Sequence, residues 1–348
     1  MAELKIVVAG AGFIARVAHL PGFRAAGAPV GALCARNQDR ARLLAQQYEV
    51  PRVYGDWRQM LAEEKPDIVS VCLPNVLHYE VTLAAFEGGA HVLCEKPLAT
   101  SVAEARAMFD AARRNGRHLM AAHHFRFDVA AQAIKRVVES GALGEIYHSE
   151  ATALRRMGIP SWGAFHQRAF SAGGCLIDYG VHALDQTLWL AGNPKPTSVS
   201  AVTQRRFGQR PDIAATWGSN AWDPQRFDVE DFAVAFVRFQ DGSSMVLRAS
   251  WAAHIAKDQF SSLLLGSEGG ATTLPPTVYT LGEGKQVNEE LGPFPWSNPY
   301  EAQAAHFLAV VRGEVEPIVK EEETMNVQRI LDAAYRSAEE GREVPVED

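Results

Sequence analysis

The chain has 348 residues, 47% hydrophobic and 22% charged, with a formal net charge of −7 at pH 7. That balance is globular, and the length exceeds one ordinary hydrophobic core, so two domains are expected. No Lys/Arg-rich block offers the basic stripe that nucleic-acid phosphates require, and no run approaches the roughly 20 apolar residues of a membrane helix.

The N-terminus, MAELKIVVAGAGFIA, enters a strand without a charged-then-apolar leader, so a cytoplasmic address is expected. Cys34, Cys72, Cys94 and Cys175 are widely spaced and form no CxxC pair. Three of them lie in or beside apolar strand-like runs, which reads as buried reduced thiols.

From residue 4 to about 122 strand-like and helical segments alternate. LKIVVAG is a continuous apolar run, FIARVAHLPGFRAAG is helical, VGALCA is a second strand and QDRARLLAQQYEV a second helix. DIVSVCL, AHVLCEK and HLMAAHH are further strands, separated by the helical HYEVTLAAFEGG and SVAEARAMFDAARRNG. Continuous apolar strands are covered on both faces, so this half is expected to be a doubly wound parallel sheet of the Rossmann type, spanning 1–122.

The pattern changes in 123–348. A helix, DVAAQAIKRVVESG, precedes the strand EIYHSEATAL and a Gly-, Trp- and Ser-rich loop, and CLIDYGVHALDQTLWLAG is helical. TSVSAVTQR, DFAVAFVRF, SSMVLRASWA, FSSLLLGS and TVYTLG then read as strands, with QDG as a hairpin turn. YEAQAAHFLAVVRG and ETMNVQRILDAAYRSAEEG close the chain as amphipathic helices, which could pack back on the first domain. The expected fold is α/β overall: a Rossmann domain followed by an α+β domain with a large, mostly antiparallel open sheet.

Chemistry begins at GAGFIA, Gly10 to Ala15, between the first strand and helix. Gly10 permits the tight turn, Gly12 admits a pyrophosphate to the backbone, and Ala15 takes the packing position; Phe13 and Ile14 complete the turn. The helix N-terminus that follows favours phosphate. An acidic residue normally ends the second strand to bind the ribose of NAD, but here Ala35 stands in that place, followed by Arg36, Asn37 and Arg40. Guanidiniums without a carboxylate suit a 2′-phosphate, so NADP(H) is favoured and NAD(H) is the alternative. On that alternative, Arg36 and Arg40 are solvated charges and Asp39 binds the ribose.

Three later motifs accompany this turn: LPNVLHYEVTLAAFEGGAHV, HVLCEKPLA and GGCLIDYGVHALD. Together, and in this order, they resemble the Gfo/Idh/MocA family, named for glucose-fructose oxidoreductase and inositol dehydrogenase. The resemblance runs from residue 4 to the final helices. It implies cofactor contacts at Leu73, Pro74, Asn75, His78, Glu95, Lys96 and Pro97, and a cis Lys96–Pro97 bond. It implies catalysis by Lys96, Asp178 and His182, and an open sheet that supports a homodimer or homotetramer. Two positions depart from the family: His124 replaces an Asn, and Cys175 replaces a Gly. His124, Arg126 and Arg168 are the expected substrate contacts.

Asp178 and His182, four apart, would share one helix face, with Asp178 accepting from one ring nitrogen of His182. His182 is then the acid–base group, and Lys96 hydrogen-bonds the oxygen that gains negative charge. No ligand spacing points to a metal. The expected activity is hydride transfer between a nicotinamide and a sugar, inositol or related hydroxy or carbonyl compound. The alternatives are an enzyme that retains its dinucleotide and oxidises transiently, in the manner of some glycosidases and epimerases, and a non-catalytic dinucleotide sensor.

Overall fold

The structure is a computed structural model, and it describes residues 4–215 and 223–347. It divides into two compact units, Met1–Phe127 with Ser297–Glu321, and Asp128–Trp296 with Glu322–Asp348.

In the first unit β1 (Ile6–Ala9), β2 (Val30–Cys34), β3 (Arg52–Tyr54), β4 (Ile68–Val71), β5 (His91–Cys94) and β6 (Leu119–Ala121) form one sheet in the order β3-β2-β1-β4-β5-β6. Every pairing is parallel. Each of Ile6, Val7, Val8, Ile68, Val69 and Val92 is fully buried, as expected where helices cover both faces. Strand order reverses between β1 and β4, and such a switch point opens a crevice at the carboxyl ends of the strands.

A π-helical turn, Ala15–His19, leads into α1 (Leu20–Ala25). The remaining helices of this half are α2 (Gln38–Tyr48), α3 (Trp57–Glu64), α4 (His78–Glu87) and α5 (Val102–Arg114). Their starts are written locally: the Asn37, Asp56 and Ser101 side chains accept from Arg40, Arg58 and Glu104 N–H groups, satisfying donors that have no partner within the helix.

The second unit opens with α6 (Val129–Glu139), capped by Asp128. Then follow β7 (Ile146–Leu154), the short α7 (Arg168–Ser171), a π-helical turn Leu176–Gly180 and α8 (Val181–Leu190). The strands are β8 (Pro196–Gln204), β9 (Phe232–Phe239), β10 (Ser244–Ser250), β11 (Gln259–Gly266), β12 (Gly269–Thr273), β13 (Pro276–Gly282) and β14 (Lys285–Glu290). The helix α9 (Pro299–Val311) belongs to the first unit, where it packs on α1 and on the turn His124–Phe127. The long α10 (Glu321–Glu340) and β15 (Val344–Pro345) end the chain.

Among the described residues nine strands form the second sheet, in the order β14-β13-β12-β11-β7-β10-β9-β8-β15. Its pairings are antiparallel except β7 with β10. The QDG turn joins β9 to β10, with Gly242 at φ 86°. One face is core: Ala151, Ala153, Val237, Met245, Leu247 and Ala249 pack with Leu184 and Leu188 of α8 and Ile330 and Leu331 of α10. The opposite face carries half-buried Glu150, Val234, Phe236, Val246 and Leu263. Among the described residues no helix is long and apolar enough to cross a membrane.

Candidate active site

In the first unit the expected phosphate turn is tightly constrained. Gly10 has φ 117°, and its N–H donates to Cys34 O at 2.8 Å. A Cβ on Gly10 would lie 2.2 Å from Cys72 O, whereas one on Gly12 would meet nothing within 4 Å. Gly10 is therefore required by the fold, while Gly12 leaves the open backbone room that a pyrophosphate needs; the turn fits a dinucleotide. Phe13 and Ile14 are half-buried, and the Arg16 guanidinium sits 5.5 Å from the Phe13 ring centre.

At the end of β2, Ala35 N–H donates to Tyr54 O. Arg36, Asn37 and Arg40 are exposed, and the Asn37 side chain caps α2. Asp39 pairs with Arg42 at 3.0 Å on the helix surface. That contact holds the Asp39 carboxylate toward Arg42, while Arg36 and Arg40 stand exposed beyond the strand end.

Leu73 and Pro74 are half-buried, and Asn75 begins a 3-10 turn, Asn75–Leu77. His78 is fully buried, with Nδ1 2.8 Å from Pro97 O and Nε2 2.9 Å from Leu73 O. Its ring ties the Leu73 segment to the E-K-P turn. Burial lowers its pKa, while the two carbonyls favour the charged ring.

The E-K-P turn closes β5. Lys96–Pro97 is cis and Lys96 is half-buried. Glu95 is buried: its Oε1 lies 2.8 Å from His19 Nε2, and its Oε2 accepts from Lys96 N–H at 3.1 Å. His19 Nδ1 in turn lies 2.6 Å from Ser70 Oγ. Burial raises the Glu95 pKa, but the hydrogen bond and charge of His19 outweigh it and hold the carboxyl below its usual range. Burial also works against a charged His19, yet Cys72 and Glu95 more than offset it and push the ring up to about 10.

His124 and Arg126 lie beyond β6. The His124 ring packs 4.2 Å from both the Phe125 and Tyr300 ring centres, and burial drives its pKa down to about 3. Arg126 is fully buried, and Nη1 donates to Ile318 O at 3.1 Å. Both side chains take part in seating the returning segment Ser297–Glu321 within the first unit.

In the second unit Asp178 and His182 sit on successive helical turns, but Asp178 lies within the π-helical turn Leu176–Gly180 and His182 within α8. Such turns often mark functional positions. Asp178 is half-buried, and its Oδ2 accepts from Trp251 Nε1 at 2.9 Å; Trp251 itself is fully buried. His182 is 9% exposed. The start of this helical run is held by Glu230, which accepts from the N–H groups of Gly174 and Leu176 and from the Tyr335 hydroxyl at 2.8–3.0 Å. A Cβ on Gly174 would lie 1.9 Å from Glu230 O, and one on Gly173 2.1 Å from the Tyr335 hydroxyl. The paired glycines exist for that close approach. Arg168 is exposed; its N–H donates to Asp228 and its guanidinium lies 3.4 Å from Glu339.

His19, Ser70, Trp251, Glu230 and Tyr335 carry no motif. They become visible only through burial and long-range pairing. Among the described residues no group of three or more His, Cys, Asp or Glu could hold a metal.

A family model described as "Oxidoreductase family, NAD-binding Rossmann fold" matches residues 4–123, and the GFO/IDH/MocA C-terminal domain matches 131–272. D-glucoside 3-dehydrogenase of Escherichia coli is 35% identical over 343 residues, covering 98% of this chain and 97% of that protein. D-xylose 1-dehydrogenase (NADP(+)) 2 of Haloferax volcanii is 28% identical, over 94% of this chain and 95% of that one. Among solved structures, the aldose-aldose oxidoreductase of Caulobacter crescentus complexed with glycerol superposes with a TM-score of 0.80 and 27% identity, covering 99% of this chain and 100% of that one.

Proposed function

The chain belongs to the GFO/IDH/MocA family of oxidoreductases, and from that membership we propose that it is a sugar dehydrogenase that oxidises a secondary hydroxyl of a hexose or glucoside. The observation that carries the reading is the first unit's carboxyl edge: the Gly12 opening, and behind it a helix whose His19 reaches the residue next to Lys96. The full-length likeness to a glucoside dehydrogenase supports the substrate class.

The bound dinucleotide supplies the hydride acceptor. On this reading Lys96 hydrogen-bonds the reacting oxygen and stabilises the negative charge that develops on it as its proton leaves, before hydride departure forms the carbonyl. His182 removes the hydroxyl proton, and Asp178 orients it. Trp251 in turn fixes Asp178 through its indole N–H. Trp251→Phe removes that donor, and kcat should fall about tenfold with dinucleotide affinity unchanged. An unaltered kcat would show that Asp178 needs no such anchor.

The same proposal assigns NADP(H) as the cofactor, because Arg36 and Arg40 are exposed beyond β2 while Asp39 pairs with Arg42. NADPH should bind more tightly than NADH, and Arg36→Ala should weaken NADPH alone by about 10- to 100-fold. Tryptophan-to-nicotinamide energy transfer reads both affinities. Equal loss for both dinucleotides, or tighter NADH from the outset, would assign NAD(H) instead.

The activity is tested by a screen of hexoses, methyl glucosides and inositols with absorbance at about 340 nm, where the reduced nicotinamide absorbs. Stoichiometric reduction is expected. Turnover without net reduction would favour transient oxidation, and no turnover with tight dinucleotide binding a sensing role. The half-buried apolar residues on the open sheet face support a homodimer or homotetramer as part of the same reading.

A further inference from the structure

The first unit buries an ion pair that the proposed mechanism does not use. His19 ends the π-helical turn behind the phosphate loop, and Glu95 follows β5 immediately before Lys96. Their side chains are 1% and 8% exposed, and the contact is 2.8 Å. Glu95 Oε1 meets His19, and Oε2 accepts from the backbone N–H of Lys96. Ser70 Oγ, on the central strand β4, holds the far nitrogen of the ring.

A carboxylate next in sequence to an ammonium competes strongly for it where water is excluded. His19 supplies the nearer counter-charge and turns the second oxygen back onto the main chain. We propose that His19 is a positioning residue for Lys96: it balances the charge of Glu95 and fixes that carboxylate on the backbone of the Lys96 turn, so that the ammonium serves the reacting oxygen and not its own neighbour. This rests on the catalytic assignment of Lys96. The other charged or titratable groups facing the pair are Cys72 after β4, Cys94 at the end of β5, His78 on α4, His124 with His123 behind it, Tyr300 on α9, and Lys96 itself.

Lys96→Arg identifies the relevant titration, since a guanidinium does not lose its proton and the alkaline limb of kcat/KM that it abolishes belongs to Lys96. His19→Gln keeps a donor for Glu95 but removes the charge. That limb should move up by about half a pH unit or more, with kcat about 10- to 100-fold lower and sugar KM and dinucleotide Kd within about threefold. Glu95→Gln, which removes the opposite charge, should move the same limb down. General loosening of the turn cannot produce shifts of opposite sign.

Nitrogen NMR of the histidine rings, on protein free of dinucleotide, gives a readout independent of turnover. The His19 resonances, identified by their loss in His19→Gln, should show a doubly protonated ring at about pH 8, and a neutral one in Glu95→Gln. An unmoved limb in both variants, or a neutral His19 in the parent, would overturn the proposal while leaving Lys96 essential. If Lys96→Met left kcat unchanged, the catalytic assignment and this proposal would fall together.

Discussion

Lys96→Met is expected to lower kcat for sugar oxidation by about 10²- to 10⁴-fold while leaving dinucleotide Kd within about threefold. The substitution keeps the unbranched aliphatic stem and removes the donor and the charge. Lys96 is half-buried between two fixed neighbours: Glu95 is held by His19, and the Pro97 carbonyl by His78. The turn should therefore survive, and the loss should fall on the chemical step. Stopped-flow measurement of nicotinamide reduction in a single turnover separates that step from product release. A variant that binds sugar and dinucleotide yet reduces nicotinamide at the parental rate would remove Lys96 from the reaction.

The second large effect concerns stability. In Gly10→Ala the new methyl carbon meets Cys72 O at 2.2 Å and Cys72 C at 2.6 Å, on a backbone with φ 117°. The obstacle cannot retreat, because Cys72 N–H is bonded to Ala9 O at 2.7 Å between the two central strands. Strain at the dihedral and overpacking each contribute about 1–3 kcal/mol, so a loss of about 2–6 kcal/mol is expected. Gly12→Ala should behave in the opposite way. Its Cβ meets no protein atom within 4 Å, so the melting temperature should hold while dinucleotide affinity falls. Thermal melts and fluorescence titrations of the two variants give this crossed pattern; a Gly10→Ala protein that melts with the parent would refute the close approach.

Much of the architecture was legible because the strands obey simple periodicities. The first-unit strands are continuous apolar runs and the second-unit strands β9 and β10 alternate, so both sheets could be anticipated. β14 could not: all six of its residues, KQVNEE, are exposed, and no burial pattern distinguishes it from a loop. β3 is too short, and β12 begins with two glycines.

The site was legible where a motif fixes backbone shape, as at Gly10 and Gly12. It was not legible where partners are distant in sequence. The spacing of Asp178 and His182 implied an ordinary helix, yet a π-helical turn lies under Asp178, and no residue type announces that change of register. His19 and Glu95 are 76 residues apart, and Arg126 and Ile318 are 192 apart. His78 directs both ring nitrogens at backbone carbonyls, and no spacing in the sequence announces those two contacts.

The return of Ser297–Glu321 to the first unit also sets an order of synthesis. Gly22 of α1 lies so close to α9 that an added Cβ would stand 3.0 Å from Tyr300 O and 3.1 Å from Ala304 Cβ. A nascent chain that has emerged only as far as Phe127 therefore carries an α1 with one flank bare. The dinucleotide-binding half is completed only after Asp128–Trp296 of the other unit has been made, and an excised fragment needs the late segment grafted on to be whole.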